Sequence, residues 1–295
     1  MRIINNDANA VIKWRLTDVC QFKCPYCIRR DFITKANLKE DDEKCFKSID
    51  EVIRIANDLN KVTNKKVKVD LIGGEVTILP SLNIIIDRLI KEDVIEKVNI
   101  TSNFESDKIP SGDKISFTAS YHPTQTKMSI EEWFKKASDY KEKFKYFKVE
   151  TVATRDAKHI DEFIKLAIAN NIPYQVEEDL TNSNCKGKAC SSNKKVARYT
   201  VIDDEGKERK FVTRNEFLKK YGKNGNSIFT GNKLCSRDFD YVYIEQDEVC
   251  SCAIPNIKLK DYKVVSGFHP CWRGSNGHCT LCGNISIVTA PELVF

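Results

Sequence analysis

The stretch DVCQFKCPYC, residues 18–27, decides how the rest of the chain is read. It places Cys20, Cys24 and Cys27 in a C-x3-C-x2-C spacing, with Tyr26 before the last cysteine and Pro25 holding the loop. Three thiols are an odd number for disulfides and one short of the four ligands of a closed tetrahedral zinc site. The first histidine of the chain is His122, far from the loop in sequence. Close-set thiolates with a fourth position open suit an iron–sulfur cluster in which one iron has no protein ligand. Structural zinc is the plainer alternative.

Working outward, the segment that feeds the loop, VIKWRLT (11–17), is apolar and β-prone. Downstream, EDDEKCFKSIDEVIRIANDLN (40–60) carries Phe46, Ile49 and Ile53, with Val52 less regular, at helical spacing. KVKVDLIGG (66–74), EKVNITSN (96–103), KISFTAS (114–120), FKVETVAT (147–154) and IPYQVEE (172–178) read as strands. LNIIIDRLIKE (82–92), SIEEWFKKASDYKEKF (129–144) and DAKHIDEFIKLAIANN (156–171) read as helices, the second opened by Ser129 with acidic residues in its first turn. Six strands alternating with helices up to about Glu178 imply βαβ units and a mainly parallel sheet. Right-handed crossovers gather the βα loops on one face, where such barrels hold their active sites. The cysteine loop, GGE (73–75) and TSN (101–103) all fall there. Two adjacent glycines let backbone approach a ligand closely.

CQFKCPYC followed by GGEVTILP (73–80) resembles the radical S-adenosylmethionine (SAM) superfamily, whose loop is C-x3-C-x-aromatic-C with a GGE after the second strand. The resemblance covers roughly residues 11–178. It implies that Cys20, Cys24 and Cys27 bind three irons of a 4Fe–4S cluster whose fourth iron chelates SAM. It also implies that Tyr26 packs by the adenine and that Gly73, Gly74 and Glu75 receive the methionine amino group. Ser102 or Asn103, with Ser120, would line the ribose and methionine ends. The cofactor carries the radical chemistry and the protein supplies orientation and a dry site.

Beyond Asp179 the character of the chain changes. TNSNCKGKACSSNKK (181–195) is small and polar, like a linker; RYTVIDDEGKERKFVT (198–213) reads as a hairpin turning at 204–206, and a short helix is expected over 214–221. A second hairpin is expected across DYVYIEQDEVCSC (240–252). This C-terminal region resembles the SPASM/twitch extensions of radical SAM enzymes, which implies one auxiliary 4Fe–4S cluster on Cys235, Cys252, Cys279 and Cys282. Asp247 stands where that family's hairpin has glycine, which leaves Cys250 or Cys252 open as the ligand, and Cys271 is in reserve. A zinc knuckle on Cys271, His278, Cys279 and Cys282 is the structural alternative.

Several other residues admit plain readings beside functional ones. Cys45 reads as a small buried side chain in a helix. Cys185 and Cys190 read as two solvent-facing thiols, a substrate-gating pair or a catalytic thiol. His122, in SYHP, reads as a satisfied strand-end histidine or a substrate contact. Arg155 could meet a carboxylate of SAM or substrate, while Arg29 and Arg30 balance charge.

Composition bounds the remainder. The chain has 295 residues, 41% hydrophobic, with no apolar run of eighteen and no signal-peptide pattern at its N-terminus. Twelve cysteines at three main places fit metal binding in a reducing, cytoplasmic setting. A net charge of +6 spread along helices gives no nucleic-acid footprint.

The expectation is an α/β chain: a partial (β/α)6 barrel over 1–180, a linker and hairpin over 181–230, and a small cysteine-rich α+β cluster domain over 231–295. It would cleave SAM reductively, fed by a reductant such as flavodoxin or ferredoxin, and abstract hydrogen from a substrate carbon. A peptide stands slightly ahead of a small metabolite such as a sugar or nucleoside. The chain starts almost at strand one, so leader recognition would reside in a partner. A non-catalytic iron–sulfur or zinc protein is the rival of another class.

Overall fold

The computed structural model describes residues 2–5, 8–33, 35–107, 109–153, 158–178, 199–202, 205–211, 220, 228–229, 233–235, 240–250, 256–266, 269–270, 278–279 and 287–289. Its contacts divide the chain into two units, one of segments 14–49 and 69–194 and one of segments 1–13, 50–68 and 195–295.

Besides the four-residue helix Arg30–Ile33, the described residues from 10 to 178 form six strands and four long helices. In chain order these are β1 (Ala10–Thr17), α1 (Leu38–Thr63), β2 (Val67–Gly73), α2 (Leu82–Ile90), β3 (Ile95–Ser102), β4 (Ile115–Tyr121), α3 (Ile130–Lys141), β5 (Tyr146–Ala153), α4 (Lys158–Ala169) and β6 (Tyr174–Glu178). The strands lie side by side in the order β1-β2-β3-β4-β5-β6. The pairs β3–β4, β4–β5 and β5–β6 are parallel, with Ser120 opposite Glu150 and Glu150 opposite Gln175. This is the α/β fold with a parallel-rich sheet that the alternation predicts.

Alternation within the strands explains the two faces of the sheet. In β5, Phe147, Val149, Thr151 and Ala153 are buried while Lys148, Glu150 and Val152 are only partly so. The buried set joins an aromatic core. Phe104 lies 5.7 Å from Phe117, 5.5 Å from Trp133 and 5.0 Å from Tyr140, ring centre to ring centre. The opposite face is polar. Asn99 accepts from Ser116 Oγ at 2.6 Å, Ser120 Oγ donates to Glu150 at 2.7 Å, and Lys148 Nζ reaches Glu150 at 3.1 Å and Gln175 at 3.0 Å.

Helix ends follow local chemistry. Ser129 and Glu132 form a reciprocal capping box at the start of α3. Asn37 Oδ1 accepts from the backbone of Lys39 and Glu40 at the start of α1. The helices α1 and α4 run into left-handed asparagines, Asn64 (φ 54°) and Asn171 (φ 50°). One expectation fails inside α1. Its buried stripe is Cys45, Ile49, Val52, Ile55, Ala56 and Leu59, while Phe46 is 49% exposed. The true i, i+4, i+7 series starts one residue earlier, at Cys45.

In the second unit the strand Arg2–Asn5 pairs antiparallel with Tyr199–Ile202 and, through Ile3, with Ile287. Tyr199–Ile202 and Glu208–Phe211 form the expected hairpin, with Gly206 at φ 79° in its turn. The hairpin of Tyr241–Glu245 and Glu248–Val249 is also present. Its turn is the pair Gln246–Asp247, with Gln246 the left-handed residue (φ 45°). Asp247 also accepts from Leu259 N at 3.1 Å and Lys258 Nζ at 2.8 Å. Among the described residues, no helix is long and apolar enough to cross a membrane.

Candidate active site

The cysteine loop leaves β1 and is fastened at both ends. Thr17 Oγ1 donates to Asp41 Oδ2 of α1 at 2.7 Å and accepts from Val19 N at 3.0 Å. Cys45 donates to Leu16 O at 3.2 Å, so this buried thiol is structural. Asp18 accepts from Arg29 at 2.9 and 2.6 Å and from Arg15 at 3.1 Å. Burial alone would raise the Asp18 carboxyl, but Arg29 and Arg15 together hold it below its usual value. Arg29 follows the third cysteine and Asp18 precedes the first, so the pair closes the loop on itself.

The glycines meet backbone here. A Cβ on Gly73 would stand 2.4 Å from Thr17 O, and one on Gly74 would stand 2.4 Å from Val19 O and 2.6 Å from Asp18 O. That proximity admits two hydrogen bonds, Gly74 N to Thr17 O at 2.8 Å and Glu75 N to Val19 O at 2.9 Å. Glu75 is fully buried. Its carboxylate accepts from Thr77 N and Oγ1, at 2.9 and 2.6 Å, and from Asn103 N at 2.7 Å. Burial still pushes its carboxyl up. The three expected loops are therefore joined, the last link being Gln21 Nε2 to Asn103 Oδ1 at 3.3 Å.

Ser102 Oγ accepts from Phe104 N at 3.0 Å, and Ser120 is engaged by Glu150. Tyr26 is buried, its hydroxyl 2.9 Å from His122 Nδ1, with the two rings within 12° of parallel. His122 is thus partnered at the strand end. Sequence reasoning gave no role to Asp18, Glu150 or Gln125, whose Oε1 accepts from Lys23 N at 2.8 Å. Asp18 stands at the head of the motif itself; the other two carry no local signal.

The donor set fits an iron–sulfur cluster. Cys24 is buried, Cys20 and Cys27 are partly buried, and all three pack with Phe22 and Tyr26. Burial pushes the thiols of Cys20 and Cys24 up to about 11, a setting that favours a thiolate only when a metal neutralises it. Among the described residues, no group of three His, Cys, Asp or Glu side chains is already placed to hold a metal ion. Asn103 Nδ2 is buried with no hydrogen-bond partner, and the Asn103 side chain lies beside Cys20 and favours its thiolate. This is an unfilled donor next to soft sulfur.

Residues 14–175, more than half of the chain, match the radical SAM superfamily. The chain belongs to that superfamily. Membership implies a 4Fe–4S cluster and SAM as cofactors of a radical SAM enzyme. Similar proteins include the GTP 3',8-cyclases of Tolumonas auensis and Aeromonas hydrophila. They are 29% and 30% identical over 92 residues, which is 31% of this chain and 25% and 26% of theirs. The chain thus spans about a quarter of the length of these curated relatives. Among solved structures, Streptococcus suis SuiB bound to precursor peptide SuiA is 19% identical with a TM-score of 0.43, covering 58% of this chain and 39% of that one. TYW1 with a lysine-pyruvate adduct is 15% identical with a TM-score of 0.34, covering 62% and 67%. Neither decides the substrate.

Cys185, Cys190, Cys252, Cys271, Cys282 and Arg155 lie outside the described residues, as do the linker over 181–195 and, but for Lys220, the helix over 214–221. Cys235 and Cys279 are described as strand positions, Cys235 opposite His269 and Ile287, and Cys279 opposite Ile228.

Proposed function

We propose that this radical SAM enzyme cleaves SAM reductively to a 5′-deoxyadenosyl radical that takes a hydrogen atom from a substrate carbon. The carrying observation is the junction of the cysteine loop with Gly73–Glu75 through backbone hydrogen bonds, and of Glu75 with Asn103 through its carboxylate. Cys20, Cys24 and Cys27 would hold the cluster, which when bound supplies one electron to the sulfonium of SAM. Gly73, Gly74 and Glu75 receive the methionine amino group, with the Glu75 carboxylate held in place by Thr77 and Asn103. Tyr26 packs by the adenine, and Ser102, Asn103 and Ser120 line the rest of SAM.

The substrate is a peptide, modified by crosslinking, thioether formation, epimerisation or oxidation. A second reading, a small polar metabolite, is favoured by the polar face carrying Ser120, Lys148, Glu150 and Gln175. Cys235, Cys252, Cys279 and Cys282 hold an auxiliary 4Fe–4S cluster in a domain over 231–295, and flavodoxin or ferredoxin delivers the electron in the cytoplasm. The test is Cys24→Ala: 5′-deoxyadenosine formation from SAM under reduction disappears while the circular dichroism spectrum is kept. Persistent formation would overturn the assignment.

A further inference from the structure

Gln125 lies in the turn that follows β4 and reaches across to the cysteine loop. Its Oε1 accepts from Lys23 N, in the segment between Cys20 and Cys24, at 2.8 Å. Its Nε2 donates to Thr124 O at 2.9 Å. A backbone N–H only donates and a carbonyl only accepts, so the two partners together settle which end of the amide is oxygen. The turn is pinned in its own right, because Gln125 N and Thr126 N both donate to His122 O at 3.0 Å.

A second strap runs beside the first. Thr126 Oγ1 donates to Glu105 Oε1 at 2.9 Å, Glu105 N donates to Asn103 Oδ1 at 3.2 Å, and the same oxygen accepts from Gln21 Nε2 at 3.3 Å. Gln21 and Lys23 flank Phe22, whose side chain is buried with Cys24 and Tyr26. The hydrogen bonds thus make a closed ring through the cysteine loop, the loop after β3 and the turn after β4. Gln125 closes that ring from 102 residues away in the chain. Gln21 and Lys23 are themselves exposed, so burial does not hold this outer edge of the loop and the ring does. A loose loop that must order on taking up a metal loses part of the binding free energy to that ordering. A loop already held in the ligating shape does not.

We propose that Gln125 is a positioning residue for the cluster ligands: by taking the Lys23 N–H it holds the segment from Cys20 to Cys24 in shape before iron and sulfide are bound, and it slows their loss afterwards. Thr126, Glu105 and Gln21 support it through the second strap. The inference rests on the reading of the loop as a cluster site.

The test uses the full chain and two rates. One is hydrogen exchange at the Lys23 amide of the cluster-free chain. The other is the rate at which an iron chelator strips the anaerobically reconstituted chain. Gln125→Leu keeps the bulk of the side chain and removes the amide, and Gln125→Ala removes both. Gln125→Glu keeps an acceptor for Lys23 N. Gln125→Leu and Gln125→Ala each speed both rates about fivefold, the share of one hydrogen bond, and Gln125→Glu returns most of the change. Rates in Gln125→Leu and Gln125→Ala that match wild type overturn the positioning role alone. So does a Gln125→Glu chain as fast as Gln125→Ala, because the turn and not the acceptor would then be at work. A wild-type chain that takes up no iron and sulfide overturns the cluster reading, and the positioning role with it.

Discussion

At the scale of single residues, the two glycines after β2 work by contact distance. Neither has the left-handed backbone that glycine usually serves, yet a Cβ at Gly74 would stand 2.4 Å from a carbonyl oxygen that cannot swing aside. Gly74→Ala therefore has to push the facing backbones away from each other and lengthen the hydrogen bonds beneath them. A loss of about 3 kcal/mol is expected, at the upper end for overpacking, together with reduced iron retention, both readable by urea unfolding and iron assay. Gly206→Ala is the contrast: nothing lies within 4 Å of its Cβ, and only its positive φ, 79°, is penalised, at about 1–2 kcal/mol. Glu150 gives a pH signature. Burial works against its charge, but Lys148 and Ser120 prevail and hold the carboxyl below the usual glutamate value. A carboxyl depressed in the folded state adds stability that is fully present above its unfolded value and is lost as pH falls through the folded one. Glu150→Gln should cost about 1–3 kcal/mol at neutral pH, and the difference from wild type should vanish under acid. An equal deficit at every pH would show that the ion pair with Lys148 is not the cause.

At the scale of elements, the loop after β3 shows packing overriding local preference. Phe104 has φ 65°, which a bulky residue rarely adopts. Ser102 Oγ receives its N–H, its ring is buried among Phe117, Trp133 and Tyr140, and Lys136 Nζ lies 4.7 Å over its face. Phe104→Ala should cost about 3–5 kcal/mol and shift Asn103 off Glu75, so thermal stability and SAM-dependent turnover fall together. Ser129→Ala, by comparison, removes only a cap on α3. It should cost about 1 kcal/mol and leave iron content alone; a matching loss of iron would tie α3 to the cluster loop. The elements themselves were legible because their signals are local. Strand alternation and the Ser129 cap place most boundaries within two residues of the structure. The stripe of α1 was less so, because Cys45 does not count as strongly apolar and Phe46 does. What could not be read were the pairings between distant segments. His122 and Tyr26 lie 96 residues apart, and the register Ser120–Glu150 exists only once β4 and β5 are side by side.

At the scale of the whole molecule, the sequence carries two sets of cysteines of different standing. The first is tied to the fold: its loop hangs from β1, is latched by Asp18 and Arg29, and abuts the glycines and Asn103. Its chemistry should therefore survive changes in the second set. If Cys235, Cys252, Cys279 and Cys282 ligate an auxiliary cluster, wild-type protein purified without oxygen should carry about eight irons and about eight sulfides, two 4Fe–4S clusters. Cys279→Ala should drop the count to about four and still form 5′-deoxyadenosine, uncoupled from product. Cys24→Ala should drop it to about four and form none. The asymmetry distinguishes the two sites, since a shared loss of iron would follow from any variant that merely unfolds the chain. About four irons with one zinc in the wild type would instead make the C-terminal thiols a structural knuckle, and removing zinc would then lower stability without moving the potential of the remaining cluster.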